Sequence, residues 1–175
     1  MKTIYLNWYG PFTYDDISNG RHCAERYTKC LEGNGLYAIT GKEKYKHSAS
    51  LQYIGITTQA YVKRFYNHHK LDKINRDVKI WLGNLSSLRA TTKRHLEDVE
   101  YILVYFNDAS YLNERKITKA PNFDYAVISK FFKKDGISPY KNVPAIVRDI
   151  PEVLIWNHGV KELRYCRKLT TFTPE

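Results

Sequence analysis

Gly35-Leu-Tyr-Ala-Ile-Thr40 and Leu51-Gln-Tyr-Ile-Gly-Ile56 are the two segments of the sequence that decide its predicted fold. Each is short, largely apolar and rich in residues that favour strands, and a polar linker joins them. We expect the two segments to pair in one sheet. The ten linker residues exceed the usual hairpin loop and include three lysines, so the linker is a candidate for contacting phosphate.

A helix is predicted directly after the second segment, over residues 59–70, with one of two preceding threonines as its cap. Arg64 and His68 lie four residues apart, and residues at that spacing are neighbours on one face of a helix. Two predicted strands and one helix thus carry four polar side chains that can share a site: Tyr37, Tyr53, Arg64 and His68.

Further elements follow from the periodicity of apolar residues. A third strand is predicted at Val78–Leu82, and apolar residues at spacings of three and four predict an amphipathic helix from Thr92 to Phe106. The N-terminal segment Lys2–Trp8 is β-prone, and a short helix capped by Thr13 is predicted after it. A further helix is predicted after Pro121, at Asn122–Lys133. A terminal hairpin is predicted from Val153–Trp156 and Lys161–Cys166.

Composition limits the class of protein. The chain has 175 residues, 43% of them hydrophobic, and a formal charge of +10, which points to a globular protein with a polyanionic partner. No apolar run approaches the ~18–20 residues of a membrane-spanning helix, and the N-terminus lacks an apolar signal-peptide core. We therefore expect a cytoplasmic protein that does not bind membranes, and its three cysteines, without Cys-x-x-Cys spacing, predict reduced thiols.

The glycines at 33 and 35 formally fit a dinucleotide-binding pattern. That pattern is informative only between a strand and a helix, whereas here a polar stretch precedes it and a strand-like segment follows. The glycines are better explained as a turn into the strand.

The residues described so far resemble the ordered signature of the GIY-YIG nuclease family. The resemblance covers about residues 35–113 and rests on Gly35-Leu36-Tyr37, Tyr53-Ile54-Gly55, Lys63-Arg64 with His68, Glu100 and Leu112-Asn113. Leu36 stands where the family name has isoleucine. It implies an α+β fold, a small antiparallel three-stranded sheet flanked by helices. We expect one domain, 1–175, with an N-terminal addition at 1–34 and a C-terminal helix and hairpin at 114–175.

The resemblance also implies roles for six residues in cutting DNA with a divalent metal. Tyr37 would position or deprotonate the attacking water, with Tyr53 hydrogen-bonded in the same pocket. Arg64 would neutralise the scissile phosphate and His68 would assist proton transfer. Glu100 would ligate Mg²⁺ or Mn²⁺, and Asn113 would hold the site together by hydrogen bonds.

Physical chemistry supports these roles independently. Phosphodiester hydrolysis builds negative charge that a guanidinium and a cation stabilise, and Mg²⁺ often takes only one or two protein carboxylates. A phenol is a poor base unless a neighbouring cation lowers its pKa, so Tyr37 needs Arg64 or the metal nearby. Each residue alone also has a purely structural explanation: a sheet aromatic, a solvated cation, a surface histidine, a carboxylate reaching an edge, or a turn asparagine.

The sequence therefore predicts a metal-dependent DNA endonuclease. Its length favours a compact restriction-type enzyme, and cutting both strands with one site per chain favours a homodimer. Predicted phosphate contacts to double-stranded DNA are Lys42, Lys44, Lys46, Lys63, Arg89, Lys93 and Arg94. The alternative is a basic nucleic-acid-binding module that keeps the fold without catalysis; RNA as the substrate is a third possibility.

Overall fold

The computed structural model describes residues 1–18, 33–42, 46–66, 68, 71–74, 76–86, 92–107, 113, 119–142 and 144–168. Within them the strands are β1 (Lys2–Phe12), β2 (Gly35–Lys42), β3 (Ser50–Thr57), β4 (Arg76–Leu85), β5 (Tyr125–Phe132), β6 (Val153–Asn157) and β7 (Glu162–Cys166). The α-helices of this part of the chain are α1 (Tyr14–Ser18), α2 (Tyr61–Tyr66) and α3 (Lys93–Phe106). The described residues also include two 3-10 helices, at Leu71–Lys73 and Ala145–Arg148.

All seven strands form one mixed sheet in the order β3-β2-β4-β1-β5-β6-β7, curled into a half-barrel. Only β1 and β5 run parallel; the other neighbours are antiparallel. The predicted fold class, a small three-stranded sheet flanked by helices, is therefore wrong. The three expected strands are present as β3-β2-β4, but they form only one end of a larger sheet.

The N-terminal strand explains most of this difference. Ile4, Leu6 and Trp8 alternate with more exposed residues along β1, as predicted for a half-buried strand. This strand pairs with β4 on one side and β5 on the other, so it lies in the middle of the sheet. Local sequence gives the strand but not its partners, because those pairings join residues far apart in the chain.

The helix predicted at Asn122–Lys133 is also wrong, since this segment forms β5. Its residues are mostly β-branched or aromatic, and their burial between β1 and β6 favours the strand over a helix. The helix expected over residues 59–70 is shorter and ends at Tyr66 within the described chain.

Several local predictions are confirmed. The β2–β3 pair, β4, the helix α3 and the terminal hairpin β6–β7 all lie where the sequence predicted them. The predicted cap of α1 is present, because the Asp16 amide donates to Thr13 Oγ1 at 3.1 Å and the Thr13 amide donates to Asp16 Oδ2 at 2.6 Å.

The sheet has two faces that carry different residues at its β3-β2-β4 end. The face that we call the α3 face has Leu36, Ala38 and Ile54 under Val99 and Leu103 of α3. The opposite face, the α2 face, has the alternate strand residues under α1 and α2; its core includes Tyr37, Ile39, Tyr53, Ile80, Leu82, Ile17 and Phe65. No helix in the described residues is long and apolar enough to cross a bilayer.

Candidate active site

The candidate site is centred on the hydroxyl of Tyr37, which lies on the α2 face with its side chain fully buried. The Arg64 Nε–H of α2 donates to Tyr37 Oη at 3.0 Å. His68 Nε2 lies 3.0 Å from the same oxygen. One phenol therefore joins an arginine and a histidine that were predicted to act together.

Strand register brings the second tyrosine to this cluster. Tyr53 pairs with Ile39 and Gly55 pairs with Tyr37, so both tyrosines point to the α2 face. The ring centroids of Tyr37 and Tyr53 are 5.9 Å apart, and the Tyr53 ring is 5.6 Å from that of His68.

Gly55 leaves the space that the Tyr37 hydroxyl occupies. A Cβ atom built on Gly55 would stand 2.6 Å from Tyr37 Oη and 2.7 Å from a ring carbon of Tyr53. Any larger residue at position 55 would therefore collide with both tyrosines. This close approach gives the glycine a packing function within the site.

His68 reaches Tyr37 by a route that differs from the predicted one. Because α2 ends at Tyr66, His68 lies beyond the helix rather than on its face. Its ring stacks on Phe65 with centroids 5.2 Å apart, and its side chain is buried. The Arg64 guanidinium carbon lies 5.7 Å from the Tyr37 ring centroid, so both side chains still converge on the tyrosine.

Burial controls the protonation of the central tyrosine. Removal from water raises the pKa of Tyr37, and the neighbouring Tyr53 raises it further, whereas Arg64 only partly opposes this shift. The sequence-based expectation was a lowered pKa, caused by Arg64 and a metal. In this structure Tyr37 is a neutral phenol, suited to passing a proton rather than to removing one alone.

Asn113 closes the outer edge of β3. Its side-chain oxygen accepts from the Ile54 amide at 2.9 Å and its side-chain nitrogen donates to the Ile54 carbonyl at 2.7 Å. An edge strand lacks a neighbour for these backbone groups, and the buried amide takes that neighbour's place. Asn113 therefore fixes the strand that carries Tyr53 and Gly55.

Glu100 lies on α3 and is 6% exposed. It lines a groove of about 450 Å³ on the α3 face, beside Ile56 and Thr58 at the end of β3. The other groove residues are Lys93, Arg94, Glu97, Tyr101 and Lys119. The sheet thus carries the Tyr37 cluster on one face and the Glu100 groove on the other.

The groove has the donor chemistry that a hydrated Mg²⁺ or Mn²⁺ needs. Glu97 and Glu100 supply carboxylates, and a metal of this type often takes only one or two of them together with several waters. Among the residues that the structure describes, no group of three or more His, Cys, Asp or Glu side chains could hold a metal. Glu100 is the buried member of the pair, so it is the better anchor.

The predicted DNA contacts have different surroundings. Lys42 pairs with Asp77 at 2.6 Å, and Lys93 pairs with Glu97 at 3.6 Å. Both pairs are partly or well exposed and therefore weak, which leaves the lysines available to another anion. Arg94 pairs at 3.0 Å with buried Asp98. Lys63 is exposed on α2, and the backbone carbonyl of Lys46 accepts a hydrogen bond from Arg76. The last two predicted contacts, Lys44 and Arg89, lie outside the described residues.

Sequence reasoning missed three residues that support these features. Asp98 and Tyr125 form a buried hydrogen bond of 2.7 Å beneath α3, and Asp149 Oδ2 accepts from the Leu51 amide at 2.9 Å on the edge of β3. The spacing of four residues between Arg94 and Asp98 was a usable signal for Asp98, because residues four apart are neighbours on one face of a helix. Nothing in the local sequence marks Asp149, because its partner lies 98 residues away.

Comparisons with protein-family models, with characterised proteins and with solved structures found no match.

Proposed function

We propose that this protein is a metal-dependent endonuclease that hydrolyses phosphodiester bonds in DNA, in the manner of the GIY-YIG nucleases that its sequence resembles. The observation that supports this best is the convergence of Arg64 Nε and His68 Nε2 on Tyr37 Oη, each at 3.0 Å. Phosphodiester hydrolysis can use a cation to stabilise developing negative charge and a positioned side chain to transfer a proton, and this cluster brings both kinds of group to one phenol.

The hydrogen bonds suggest how protons move. A guanidinium N–H can only donate, so Arg64 uses the Tyr37 oxygen as its acceptor. The single phenolic proton can then be donated to His68 Nε2 in the tautomer that leaves this nitrogen without a hydrogen, or to Tyr53, which also hydrogen-bonds to Tyr37. For Tyr37 to take a proton from the attacking water, its buried hydroxyl would have to open towards the Arg64 side; His68 would then take the Tyr37 proton, so that the tyrosine is neutral before and after the step.

Arg64 is the partly exposed member of the cluster, whereas Tyr37, Tyr53 and His68 are buried. We therefore expect the scissile phosphate to approach from the side of Arg64, whose remaining N–H groups can stabilise its developing charge. A divalent ion held by Glu100 would lie in the groove on the α3 face, across the sheet from Tyr37, and would add positive charge for a phosphate bound in that groove rather than for the one beside Arg64. The formal charge of +10 supports a polyanion such as DNA as the partner. The cytoplasmic location is part of the same proposal.

A cleavage assay tests this proposal. Supercoiled plasmid is incubated with the protein and Mg²⁺ or Mn²⁺, with EDTA as the metal-free control. Tyr37→Phe and His68→Gln are expected to lose about 10²- to 10⁴-fold in rate, the usual contribution of positioned proton transfer. Tyr66→Phe, which changes a tyrosine that is 78% exposed on α2, is the matched control and keeps full activity.

Fragment patterns extend the test to the biological class. Discrete bands from DNA of known sequence support a restriction-type enzyme, and a dimer in solution supports cutting of both strands. Intact plasmid under conditions in which the protein demonstrably binds it would overturn the nuclease proposal.

A second candidate, a nucleic-acid-binding module without catalysis, is favoured by the complete burial of Tyr37. This candidate predicts that Glu100→Gln binds DNA as the wild type does and that neither protein cleaves it.

A further inference from the structure

The groove on the α3 face is lined by one arginine, Arg94, together with other charged side chains. Its lining carries three cations, Lys93, Arg94 and Lys119, together with the carboxylates of Glu97 and Glu100. Together with Asp98, which pairs with Arg94, these groups carry no net charge, so the placement of the cations matters more than their sum.

Arg94 is held from below by a buried carboxylate. Its guanidinium lies 3.0 Å from Asp98 Oδ1, and the Tyr125 hydroxyl donates to Asp98 Oδ2 at 2.7 Å. The Asp98 side chain is 3% exposed and Tyr125 is 1% exposed, so both partners are fixed within the core. Burial raises the pKa of Tyr125, which keeps the proton that this hydrogen bond needs.

This support leaves most of Arg94 available to a ligand. A guanidinium has five N–H donors in a rigid fork, and the contact with one oxygen of Asp98 occupies only part of it. The Arg94 side chain is 40% exposed and lines the groove. The Asp98 carboxylate is buried whereas Arg94 is partly exposed, so the pair fixes the guanidinium at the groove and leaves it accessible to a ligand.

We propose that this groove binds a phosphodiester group of a nucleic-acid strand, other than the one cut beside Tyr37, and that Asp98 and Tyr125 are positioning residues for Arg94. The nucleic acid as partner rests on the proposed function. Arginine suits this role because its fork matches two phosphate oxygens, and Lys93 and Lys119 add charge at the same groove. Lys93 can turn to a phosphate, since its ion pair with Glu97 is exposed and 3.6 Å long.

The test measures binding, not cleavage. A labelled duplex of mixed sequence is titrated in EDTA over a range of salt concentrations. The double variant Arg94→Gln/Asp98→Asn replaces the ion pair by a neutral hydrogen-bonding pair, so that no buried charge is left without its partner. It is expected to weaken binding and to lower the slope of log K against log salt by about 0.9, the value for one lost phosphate contact.

Three further proteins separate a site from a general effect of charge. Lys141→Gln removes an exposed cation that is not part of the groove, and it is expected to change the slope less than the double variant. Arg94→Lys keeps the charge and the slope but loses affinity, because a lysine cannot form the fork. Tyr125→Phe removes only the hydroxyl and is expected to weaken binding with the slope unchanged. Thermal unfolding checks that each variant is folded.

The outcomes distinguish this inference from the proposed function. If the wild type cleaves DNA but the double variant has the same salt slope and affinity as Lys141→Gln, the proposal of a phosphate-binding groove is wrong and the nuclease proposal stands. A wild type that binds without cleaving, with the expected slope change, supports the groove alone. Binding of inorganic phosphate without any binding of the duplex overturns the nucleic-acid partner, and no binding of the duplex at low salt overturns both proposals.

Discussion

At the scale of single residues, the most informative feature is the burial of Tyr37. Tyrosines are common in this chain, and an isolated one in a strand is usually a sheet aromatic. The contacts with Arg64 and His68 distinguish Tyr37 from the others. Burial raises the pKa of this phenol and so keeps it protonated, and the consequence can be measured.

The alkaline stability of the protein is expected to depend on Tyr37. Burial raises the pKa of its phenol above the value of ~10 for an unfolded tyrosine. The unfolded chain then releases this proton first, so the stabilisation is complete below pH ~10 and falls by about 1.4 kcal/mol per pH unit above it. Between about pH 9 and about pH 11, the midpoint of urea unfolding should therefore decrease less for Tyr37→Phe than for the wild type.

An equal alkaline loss in the wild type and in Tyr37→Phe would show that the phenol is not buried in a neutral state. Tyr66→Phe, an exposed substitution, is expected to follow the wild type and serves as the control.

Gly55→Ala tests the space above Gly55. The added methyl group would stand 2.6 Å from Tyr37 Oη, so the two tyrosines have to shift. We expect a loss of about 1–3 kcal/mol in the free energy of unfolding, as for other overpacked sites, together with lower cleavage activity. Gly159→Ala is the control, since its nearest atom lies at 3.5 Å in an exposed turn. Equal stability of the two variants would contradict this close approach.

At the scale of elements, the closure of the β3 edge is the feature that links the site to the rest of the chain. Asn113 covers Ile54, and Asp149 covers Leu51, so side chains hold the strand on both sides of Tyr53. An edge strand without such cover is free to shift or to pair with another chain. The position of Tyr53 therefore depends on residues far from it in the sequence.

Asn113→Ala is expected to destabilise the protein by about 1–3 kcal/mol, because it leaves a buried amide and a buried carbonyl of Ile54 without their partner. Asn113→Asp keeps the acceptor but loses the donor, and it should also be destabilised. Urea unfolding measures both. Asn122→Ala, on an exposed loop, is the control; if it costs as much as Asn113→Ala, the edge does not need this cover.

At the scale of the whole molecule, the sheet joins the expected nuclease core of residues 35–113 to the rest of the chain. The strands of residues 35–113 end at β4, and the open side of β4 is occupied by β1. The core on the α3 face also includes Trp8, Tyr125, Leu154 and Trp156 from outside that range.

A fragment of residues 35–113 is therefore expected not to fold. It would expose the edge of β4 and lose the apolar partners of α3, which supply most of the stability of a helix this long. Far-UV circular dichroism and amide chemical-shift dispersion compare it with the full chain. Cooperative urea unfolding of the fragment would show instead that the core is independent.

The sequence by itself determined the local features of this protein. Alternating apolar residues predicted β1 and β4, short apolar runs predicted β2 and β3, and a spacing of three and four predicted α3. The order of Tyr37, Tyr53, Arg64 and His68 singled out a cluster that the fold does assemble. These features depend on interactions between residues close together, or on a pattern that can be read along the chain. The nuclease activity stays a prediction.

Only the tertiary structure decided the rest. Period-two and helical patterns do not name a strand's partner, so the central position of β1 and the strand conformation of β5 could not be obtained locally. The raised pKa of Tyr37 is a result of burial, which outweighs the nearby arginine that the sequence shows. The placement of Glu100 and Arg94 in a groove across the sheet from Tyr37 likewise depends on which face α3 covers, and packing alone fixes that choice.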